Sequence, residues 1–301
     1  MDYPVIEKPP ISQMRLKPNL VDYDATRRSF QWEEVEKSLD GLPGGGLNIA
    51  YEAIDRHCKT ARRDKVALYW EGKSPDESGE QYTFDQFRVQ TNKLANVLTS
   101  LGVKKGARVF IFLERVPELY FTFFATLKCG AVIGPLFSAF GPEPVRDRLL
   151  DSGASVLITQ PDLRKRIAGI LGELPALKKI VVVNKNNRSK EPLAEGDLSY
   201  EKLMASASPE FKIVQTTRED PAIMHYTSGT TGKPKGALHV HQAVLGHYIT
   251  GKWVLDIHGD EDIYWCTADP GWVTGTSYGM SAPWTNGVTQ VIYEGGFSAS
   301  A

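Results

Sequence analysis

The sequence is short of cysteine and has no excess of charge of either sign. Its 301 residues include 35 basic and 36 acidic side chains, so the net charge is −1. Such a balance provides no general attraction for nucleic acid or an anionic membrane, and an anion has to be held by a local site. The three cysteines, Cys58, Cys129 and Cys266, lie far apart without a CxxC pair, which predicts reduced thiols in a reducing cytoplasm.

The chain also lacks a secretory signal and an apolar run of membrane-spanning length. Its first ten residues, MDYPVIEKPP, have neither a basic stretch nor an apolar core. The longest apolar stretch, 119–127, is interrupted by two threonines and is far shorter than a bilayer requires. With 42% hydrophobic and 24% charged residues, the composition is that of a globular protein. We therefore predict a cytoplasmic protein without membrane or nucleic-acid partners.

Strand-like and helix-like segments alternate along most of the chain. Apolar, β-branched runs predict strands at 66–70, 108–113, 156–159, 180–183, 222–226, 237–240 and 289–293. Amphipathic segments that follow a capping residue or a proline predict helices at 48–62, 83–101, 117–130, 142–151 and 162–171, and the polar stretch 22–39 could make a short helix. Strands separated by helices of this length require parallel crossovers, so the sequence predicts an α/β fold.

Two regions differ in composition from the rest of the chain. Residues 1–46 are irregular, with an early Pro-Pro pair and a terminal LPGGG segment, and are predicted to form an N-terminal extension. Residues 47–301 are predicted to form one large domain. Within it the polar run NKNNRSKEP, in the stretch 184–195, is predicted to be a solvated surface loop.

A glycine-rich segment carries most of the chemical information. The apolar strand at 222–226 leads directly into ten residues, 227–236, which contain three glycines, four hydroxyl groups and two lysines. Glycines let the backbone turn tightly and bring N–H groups close to an anion. Hydroxyl groups add donors, and lysines add positive charge. This combination predicts a site that binds a polyphosphate.

Two alternative interpretations of this segment are weaker. A P-loop has four residues between its glycine and the Gly-Lys pair, followed by Ser or Thr. Here Gly229 and Gly232 are separated by two residues, Pro234 follows Lys233, and a strand-like run follows instead of a helix. A featureless Ser/Thr/Gly surface loop would seldom follow a buried strand and end in Lys-Pro-Lys-Gly.

The run YTSGTTGKPKG at 226–236 resembles, at every position, the signature of the adenylate-forming superfamily, which includes acyl-CoA synthetases, luciferases and peptide-synthetase adenylation domains. The segments 82–85 and 127–131 resemble two weaker motifs of that family, in the expected order. The segments 48–57, 251–256 and 264–275 are similar to bacterial AMP-forming acetyl-CoA synthetases. The resemblance extends from about residue 19 onward and implies the family's large N-terminal domain, with stacked sheets and flanking helices.

The resemblance implies a reaction in two halves. A short carboxylate, with acetate as the first choice, attacks the α-phosphorus of ATP to give an acyl-AMP and pyrophosphate, and coenzyme A then takes the acyl group. Mg²⁺ is implied as the companion of ATP, with ligands mostly in motifs that this sequence does not contain. Lys235 is implied as the catalytic group that stabilises the departing pyrophosphate. The implied phosphate-binding residues are Thr227, Ser228, Gly229, Thr230, Thr231 and Gly232.

Further site residues follow from the same resemblance. Trp272, Val273 and Thr274 correspond to the wall of the carboxylate pocket, where an indole beside a small side chain favours acetate over longer acids. Arg164 and Arg166 lie near the position of the family's cations for the coenzyme A nucleotide, although a solvated helix face explains them equally well. His239 and His241 could suggest a metal site. We prefer to interpret them as core or surface histidines, and no metal site is predicted.

The sequence departs from the family pattern because the downstream motifs are not in it. These are the aromatic-Gly-x-Thr-Glu segment, the ribose-binding aspartate, the hinge, the small C-terminal domain with its lysine, and the tryptophan that closes the acetate pocket. We expect strand 289–293 to present an unpaired sheet edge that a second copy covers, or marginal stability. We also expect no acyl-CoA synthesis by this chain alone. The alternative is a shortened, non-catalytic nucleotide-binding or assembly module.

Overall fold

The computed structural model describes residues 4–5, 7, 9–74, 76–227, 232 and 234–296. The strands are β1 (Val66–Glu71), β2 (Glu80–Thr83), β3 (Arg108–Phe112), β4 (Val132–Pro135), β5 (Val156–Thr159), β6 (Lys179–Val182), β7 (Leu198–Ser199), β8 (Pro221–Thr227), β9 (Lys235–Val240), β10 (Ile263–Trp265) and β11 (Thr289–Tyr293). The α-helices are α1 (Tyr23–Ser29), α2 (Trp32–Glu36), α3 (Ile49–Ala53), α4 (Phe84–Ser100), α5 (Pro117–Lys128), α6 (Pro142–Ser152), α7 (Pro161–Arg166), α8 (Tyr200–Ala205), α9 (Ala243–Trp253), α10 (Val273–Thr276) and α11 (Ala282–Thr285).

The strands form two sheets, and the predicted α/β fold is confirmed. The larger sheet has the order β7-β6-β5-β3-β4-β8-β9, with every pair parallel except β8 and β9. The smaller sheet has the order β10-β11-β1-β2, in which only β1 and β2 are antiparallel. Helices α5 and α6 connect β3 to β4 and β4 to β5. The last residues of β3, β4, β5 and β8 therefore meet at one edge of the larger sheet, which we call the carboxyl edge.

Aromatic packing joins the two sheets in one core. Phe87 of α4 packs edge-on against Phe121 and Phe124 of α5 and against Trp284 of α11. The Trp284 indole N–H donates to the Ala67 carbonyl of β1 at 2.8 Å. The smaller sheet is therefore held against the helices of the larger one by both apolar contact and a buried hydrogen bond. No helix in the described ranges is both long and apolar enough to cross a bilayer.

The strongest local signals predicted their elements correctly. Thr83 caps α4 through a reciprocal pair: its hydroxyl accepts from the Gln86 N–H at 3.2 Å, and the Gln86 side chain accepts from the Thr83 N–H at 2.8 Å. Gly102 follows α4 with a φ of +92°, which ends the helix without steric cost. Pro117 opens α5 as predicted. Capping and helix termination can be read locally because all the partners lie within a few residues.

The short polar helix predicted within 22–39 is interrupted. Phe30 has an extended backbone between α1 and α2, with φ −61° and ψ 129°. Its ring packs edge-on against Trp253 of α9, with the ring centroids 5.7 Å apart. A tertiary contact that buries an aromatic ring therefore overrides the local helical pattern.

The helix predicted at 48–62 is also wrong in length. Only its first part is α-helical, as α3, and two short 3₁₀ turns follow. Arg56 donates to the Thr285 carbonyl at 2.6 Å, and the His57 ring lies 2.8 Å from the Trp284 carbonyl oxygen. These bonds hold the chain against α11 in a position that a continuous helix would not reach. Such distant partners leave no signal in the local sequence.

The stretch 184–195 is not a purely solvated loop. Lys185 is buried and lies 2.7 Å from Glu80 and 3.3 Å from Glu118, with its amine over the ring of Trp70. Burial raises the pKa of Glu118, which Lys185 partly opposes. Arg188 binds the buried carboxylate of Glu294. The polar composition of this stretch reflects ion pairs between the two sheets as well as contact with water.

The prediction of an unpaired final strand is wrong. β11 lies inside the smaller sheet, between β1 and β10, and pairs with both in parallel. Within the described residues the edge strand on that side is β10, which the sequence analysis missed because it has only three residues. The expectation of a second copy covering β11 therefore loses its structural basis.

Candidate active site

Thr227 and Lys235 lie opposite each other at the carboxyl edge. β8 ends at Thr227 and β9 begins at Lys235, and the two residues are direct partners in the antiparallel pairing. Open parallel sheets bind ligands at this edge. Of the predicted phosphate-binding residues between them, Gly232 has a φ of +102°, which a residue with a side chain rarely adopts. The predicted residues Ser228, Gly229, Thr230 and Thr231, with Lys233, lie outside the described residues.

β8 and β9 form a β-hairpin, which we call the hairpin, and the side chains around it hold its two strands in place. Lys235 is exposed, and Gly236 beside it packs on the ring of Tyr226, which a Cβ at Gly236 would approach to 3.4 Å. The Tyr226 hydroxyl donates to Asp151 of α6 at 2.7 Å, and the Arg148 guanidinium lies 5.6 Å from the ring centroid. Burial and the hydrogen bond to Asp151 raise the pKa of Tyr226, so the phenol remains a donor at neutral pH.

A tight turn at Asp269 places the predicted acyl-pocket segment at the same edge. The Asp269 carboxylate accepts from the Gly271 N–H at 2.8 Å, and its carbonyl accepts from the Trp272 N–H at 3.0 Å. A Cβ on Gly271 would lie 2.3 Å from the backbone nitrogen of Phe137, so the turn fits against the chain that follows β4 only with glycine there. Ser138 also contacts the Asp269 carboxylate, at 3.5 Å. Burial raises the pKa of Asp269.

The predicted pocket wall is open on one side in the described part of the chain. Trp272 and Val273 are 49% and 40% exposed, and Thr274 is exposed as well. The Trp272 ring lies 5.6 Å from the ring of Phe137 and 6.3 Å from that of Phe140. Phe137 and Phe140, which follow β4, form a small aromatic group with Trp272 and fix the orientation of its indole.

A buried hydrogen bond joins the hairpin to the pocket segment. The His225 Nε2 atom lies 2.8 Å from the Thr276 hydroxyl oxygen, across 51 positions in the sequence. His225 is two residues before Thr227 in β8, and Thr276 is the last residue of α10. Burial lowers the pKa of His225 to about 4, so the ring is neutral at physiological pH. The structure thus brings the two predicted parts of the site together.

The two arginines predicted near a coenzyme A nucleotide differ in position. Arg164 lies 2.8 Å from the buried carboxylate of Asp197. Arg166 donates to the carbonyl oxygens of Ser138 and Phe140 at 2.7 and 3.1 Å. Arg166 is therefore at the rim of the aromatic group, whereas Arg164 is directed toward Asp197. The assignment of either arginine to a nucleotide stays a prediction.

His239 in β9 and His241 just after it have structural contacts. The Nδ1 atom of His241 accepts from the Ile49 N–H at 3.1 Å. The ring of His239 packs edge-on against His225, with a centroid distance of 5.7 Å. In the part of the chain that the structure describes, no group of three or more His, Cys, Asp or Glu side chains is placed to hold a metal ion.

Sequence reasoning missed several residues of this site. Phe137 and Phe140 follow β4, a strand that was not predicted because Gly134 and Pro135 make it resemble a turn. Asp151 was predicted only as the end of a helix. His225 was predicted only as part of an apolar strand. A histidine inside such an apolar run was the one available signal that this side chain has a specific partner. Its partner lies too far along the chain to be identified from spacing.

Comparisons with known proteins agree on a family. A profile described as AMP-binding enzyme matches residues 54–300. The chain is 48% identical over 281 residues to acetyl-coenzyme A synthetase of Bacillus subtilis, which covers 93% of this chain and 47% of that protein. It is 40% identical over 263 residues to acetyl-coenzyme A synthetase 2 of Pseudomonas aeruginosa, covering 84% of this chain and 40% of that protein. The crystal structure of Brucella canis acyl-CoA synthetase superposes with a TM-score of 0.82 at 30% identity, over 92% of this chain and 48% of that chain. The chain spans about half the length of the relatives that it matches.

Proposed function

We propose, because the chain belongs to the AMP-binding enzyme family, that it provides the phosphate-binding and acid-binding part of an enzyme that activates a short carboxylic acid. The acid and ATP form an acyl-AMP and pyrophosphate, and coenzyme A then receives the acyl group. Acetate is the proposed acid, in keeping with the names of the most similar relatives reported above. Residues 47–301 are proposed as part of the large domain, with 1–46 as an extension.

The observation that carries the proposal is the contact between the hairpin and α10. Thr227 and Lys235 bracket the glycine-rich segment at the carboxyl edge. The bond from His225 to Thr276 places α10, with Val273, beside the same strand. A triphosphate bound at the hairpin and an acid bound at α10 would therefore be neighbours, as a reaction between them requires.

The chemistry needs positioning and charge stabilisation more than covalent participation by the protein. One carboxylate oxygen forms a bond to the α-phosphorus while the bond from that phosphorus to the pyrophosphate oxygen breaks. Negative charge accumulates on the departing pyrophosphate. We assign its stabilisation to the Lys235 ammonium group, and we assign binding of the β- and γ-phosphates to the residues from Thr227 to Gly232.

The acyl pocket is assigned to Trp272, Val273 and Thr274. The aromatic contacts of Trp272 with Phe137 and Phe140 fix the indole on one side. Each extra methylene in the acid is expected to cost on the order of 1–3 kcal/mol in discrimination. Arg166, at the rim of the aromatic group, remains the better placed of the two proposed coenzyme A contacts, and Arg164 is kept as the second.

Mg²⁺ neutralises phosphate charge when it accompanies ATP. The described residues contain no cluster of three metal-binding side chains, so they do not form a ready protein cage for the ion. The roles assigned to Lys235 and to the pocket residues do not depend on such a cage.

Titration calorimetry with ATP and with AMP tests the proposal. The Lys235→Ala variant should bind ATP on the order of 10-fold more weakly, because a charge-assisted contact to the distal phosphates is lost. Its affinity for AMP should stay unchanged, because AMP has no β- or γ-phosphate. Lys179→Ala is a matched control, since Lys179 is also exposed but begins β6 at the opposite edge of the sheet.

The outcome of this titration is unambiguous. If the unmodified chain does not bind ATP, or if Lys235→Ala weakens ATP and AMP equally, the proposed role of the hairpin is wrong. If Lys179→Ala reduces ATP binding as much as Lys235→Ala, the effect is a general loss of positive charge and does not identify a site.

A further inference from the structure

The hydroxyl group of Thr276 has two hydrogen-bond partners. It donates to the carbonyl oxygen of Val273 at 3.0 Å and lies 2.8 Å from Nε2 of His225. A hydroxyl group has one hydrogen, so both contacts are hydrogen bonds at once only if Nε2 of His225 carries a proton and donates. This arrangement is a directed chain from the imidazole of β8 through Thr276 to the backbone of Val273.

We propose that His225 is a positioning residue that couples the phosphate-binding hairpin to the wall of the acyl pocket. This inference rests on the proposed function and names the means by which its two halves act together. His225 precedes Thr227 by two residues, so its backbone moves with the end of β8. The carbonyl oxygen of Val273 accepts the second hydrogen bond, from the Thr276 hydroxyl group. The position of the pocket wall therefore follows the position of the strand that leads into the hairpin.

Helix α10 is the first turn of a longer helical run. It continues without a break into a π-helical turn at 277–281 and then into α11, so its far end is held by that run and its first turn by local contacts. Its support on one side is the close contact of Gly275, where a Cβ would lie 2.1 Å from the Asp269 carbonyl oxygen. Its support on the other side is the bond from His225 to Thr276. Removal of that bond leaves α10 attached to the Asp269 turn and to the helical run that follows it, and it removes the hydrogen bond to β8.

Water cannot take over the role of either partner. His225 is 3% exposed and Thr276 is 1% exposed. A buried donor that loses its acceptor is left unsatisfied, and the local structure shifts to relieve it. Loss of the bond is therefore costly, and we expect a shift of the pocket wall to relieve it.

The chain of bonds can first be checked without any ligand. The ¹⁵N resonances of the His225 ring in the unmodified protein report which nitrogen carries the proton. We expect protonated Nε2, with a signal that moves in Thr276→Val, a variant that removes the hydroxyl group at nearly constant volume. Unprotonated Nε2 at neutral pH would overturn the inference, whatever the protein binds.

The coupling itself is measured with two ligands, AMP and the ethyl ester of AMP. In the proposed site the ethyl group extends from the α-phosphate toward the acyl pocket. The ratio of the two dissociation constants therefore reports the position of the pocket wall. We expect Thr276→Val and His225→Phe to reduce the preference for the ester on the order of 3- to 10-fold, with AMP affinity unchanged. His225→Gln, whose amide nitrogen can replace Nε2 as donor, should restore most of the preference.

A matched control separates coupling from general destabilisation. Thr91 of α4 is a fully buried threonine whose hydroxyl donates to the Phe87 carbonyl at 3.0 Å. Thr91→Val therefore removes a similar bond far from the site, and it should leave the ratio unchanged. An unchanged ratio in folded Thr276→Val and His225→Phe would overturn the coupling alone. Failure of the unmodified chain to bind either nucleotide would overturn the proposed function, and the coupling with it.

Discussion

Arg188 and Glu294 form a two-point ion pair, with N–O distances of 2.5 and 2.8 Å. They are 106 positions apart in the sequence. The Glu294 carboxylate is completely buried, whereas Arg188 is about one-third exposed. The pair fastens the polar stretch at 184–195 to the segment that follows β11.

Removal of Arg188 should leave the buried Glu294 carboxylate with the more distant Lys73 ammonium group, 3.9 Å away, as its remaining ion-pair partner. We expect Arg188→Met to lower the free energy of unfolding by about 2 kcal/mol, below the range for fully buried pairs because Arg188 is partly solvated. Urea denaturation measures the change. Lys190→Met is the control, because Lys190 is exposed in the same stretch, and it should stay within about 0.5 kcal/mol of the unmodified protein. Equal effects of both variants would show that Glu294 does not depend on Arg188.

The turn at Asp269 requires glycine at position 271. A Cβ there would meet the Phe137 backbone nitrogen at 2.3 Å, and backbone cannot move aside as a flexible side chain can. We expect Gly271→Ala to destabilise the protein by about 1–3 kcal/mol and to weaken binding of the ethyl ester of AMP. Gly141→Ala is the control, since no atom lies within 4 Å of its added Cβ and its φ is −77°. Thermal unfolding of the two variants at equal concentration measures the difference. Similar midpoints would contradict the requirement for glycine at position 271.

Asn48 begins α3 and connects three distant parts of the chain. Its side chain accepts from the Ala50 N–H at 3.0 Å and donates to the Leu127 carbonyl and the Thr216 hydroxyl at 2.9 and 3.1 Å. All of these bonds are buried, so Asn48→Ala should cost about 2–4 kcal/mol. Asp22→Ala removes the exposed cap of α1 and should cost about 1 kcal/mol or less. A cost at Asn48 no larger than that at Asp22 would refute the role of the buried bonds.

Buried histidines should make the fold sensitive to acid. Burial lowers the pKa of His57 to about 3 and those of His225 and His241 to about 4. Because these values lie below the unfolded value of about 6.5, the unfolded state binds more protons between them, and stability falls as the pH drops below 6.5. Each histidine contributes about 1.3 kcal/mol of this loss between pH 7 and pH 5.5.

A single substitution isolates this contribution from that of other groups. Burial raises the pKa of Glu118 and Asp269, and these carboxyl groups act in the opposite direction. His57→Gln keeps a donor for the Trp284 carbonyl and removes one titrating group. We expect it to lose about 1.3 kcal/mol less than the unmodified protein between pH 7 and pH 5.5, by urea denaturation at both values. An identical pH dependence would show that His57 is not neutral when folded.

Local signals in the sequence predicted the elements whose causes are local. The reciprocal caps of Thr83 and Gln86, and Pro117 at the start of α5, gave helices with nearly correct bounds. The resemblance carried by the segment 226–236 led to the correct family. The breaks at Phe30 and after α3 could not be predicted, because the packing of Trp253 and the carbonyls near α11 decide them.

The candidate site was predicted as two separate segments. Spacing identified the hairpin residues near Thr227 and the segment at Trp272, but nothing local indicated that β8 and α10 touch. Four strands were not predicted, for a related reason. β2, β4, β7 and β10 have two to four residues each, and pairing with neighbours distant in sequence stabilises them more than their own composition does.

The parallel pairing of β1 with β11 has a consequence for synthesis of the protein on the ribosome. One edge of β1, complete at Glu71, stays open until Tyr293 has emerged from the exit tunnel. At elongation speeds of about 5–20 residues per second, that delay is roughly ten to forty seconds. During this interval the nascent chain presents an apolar strand with one open edge, and early chaperone contact would be expected to concentrate there.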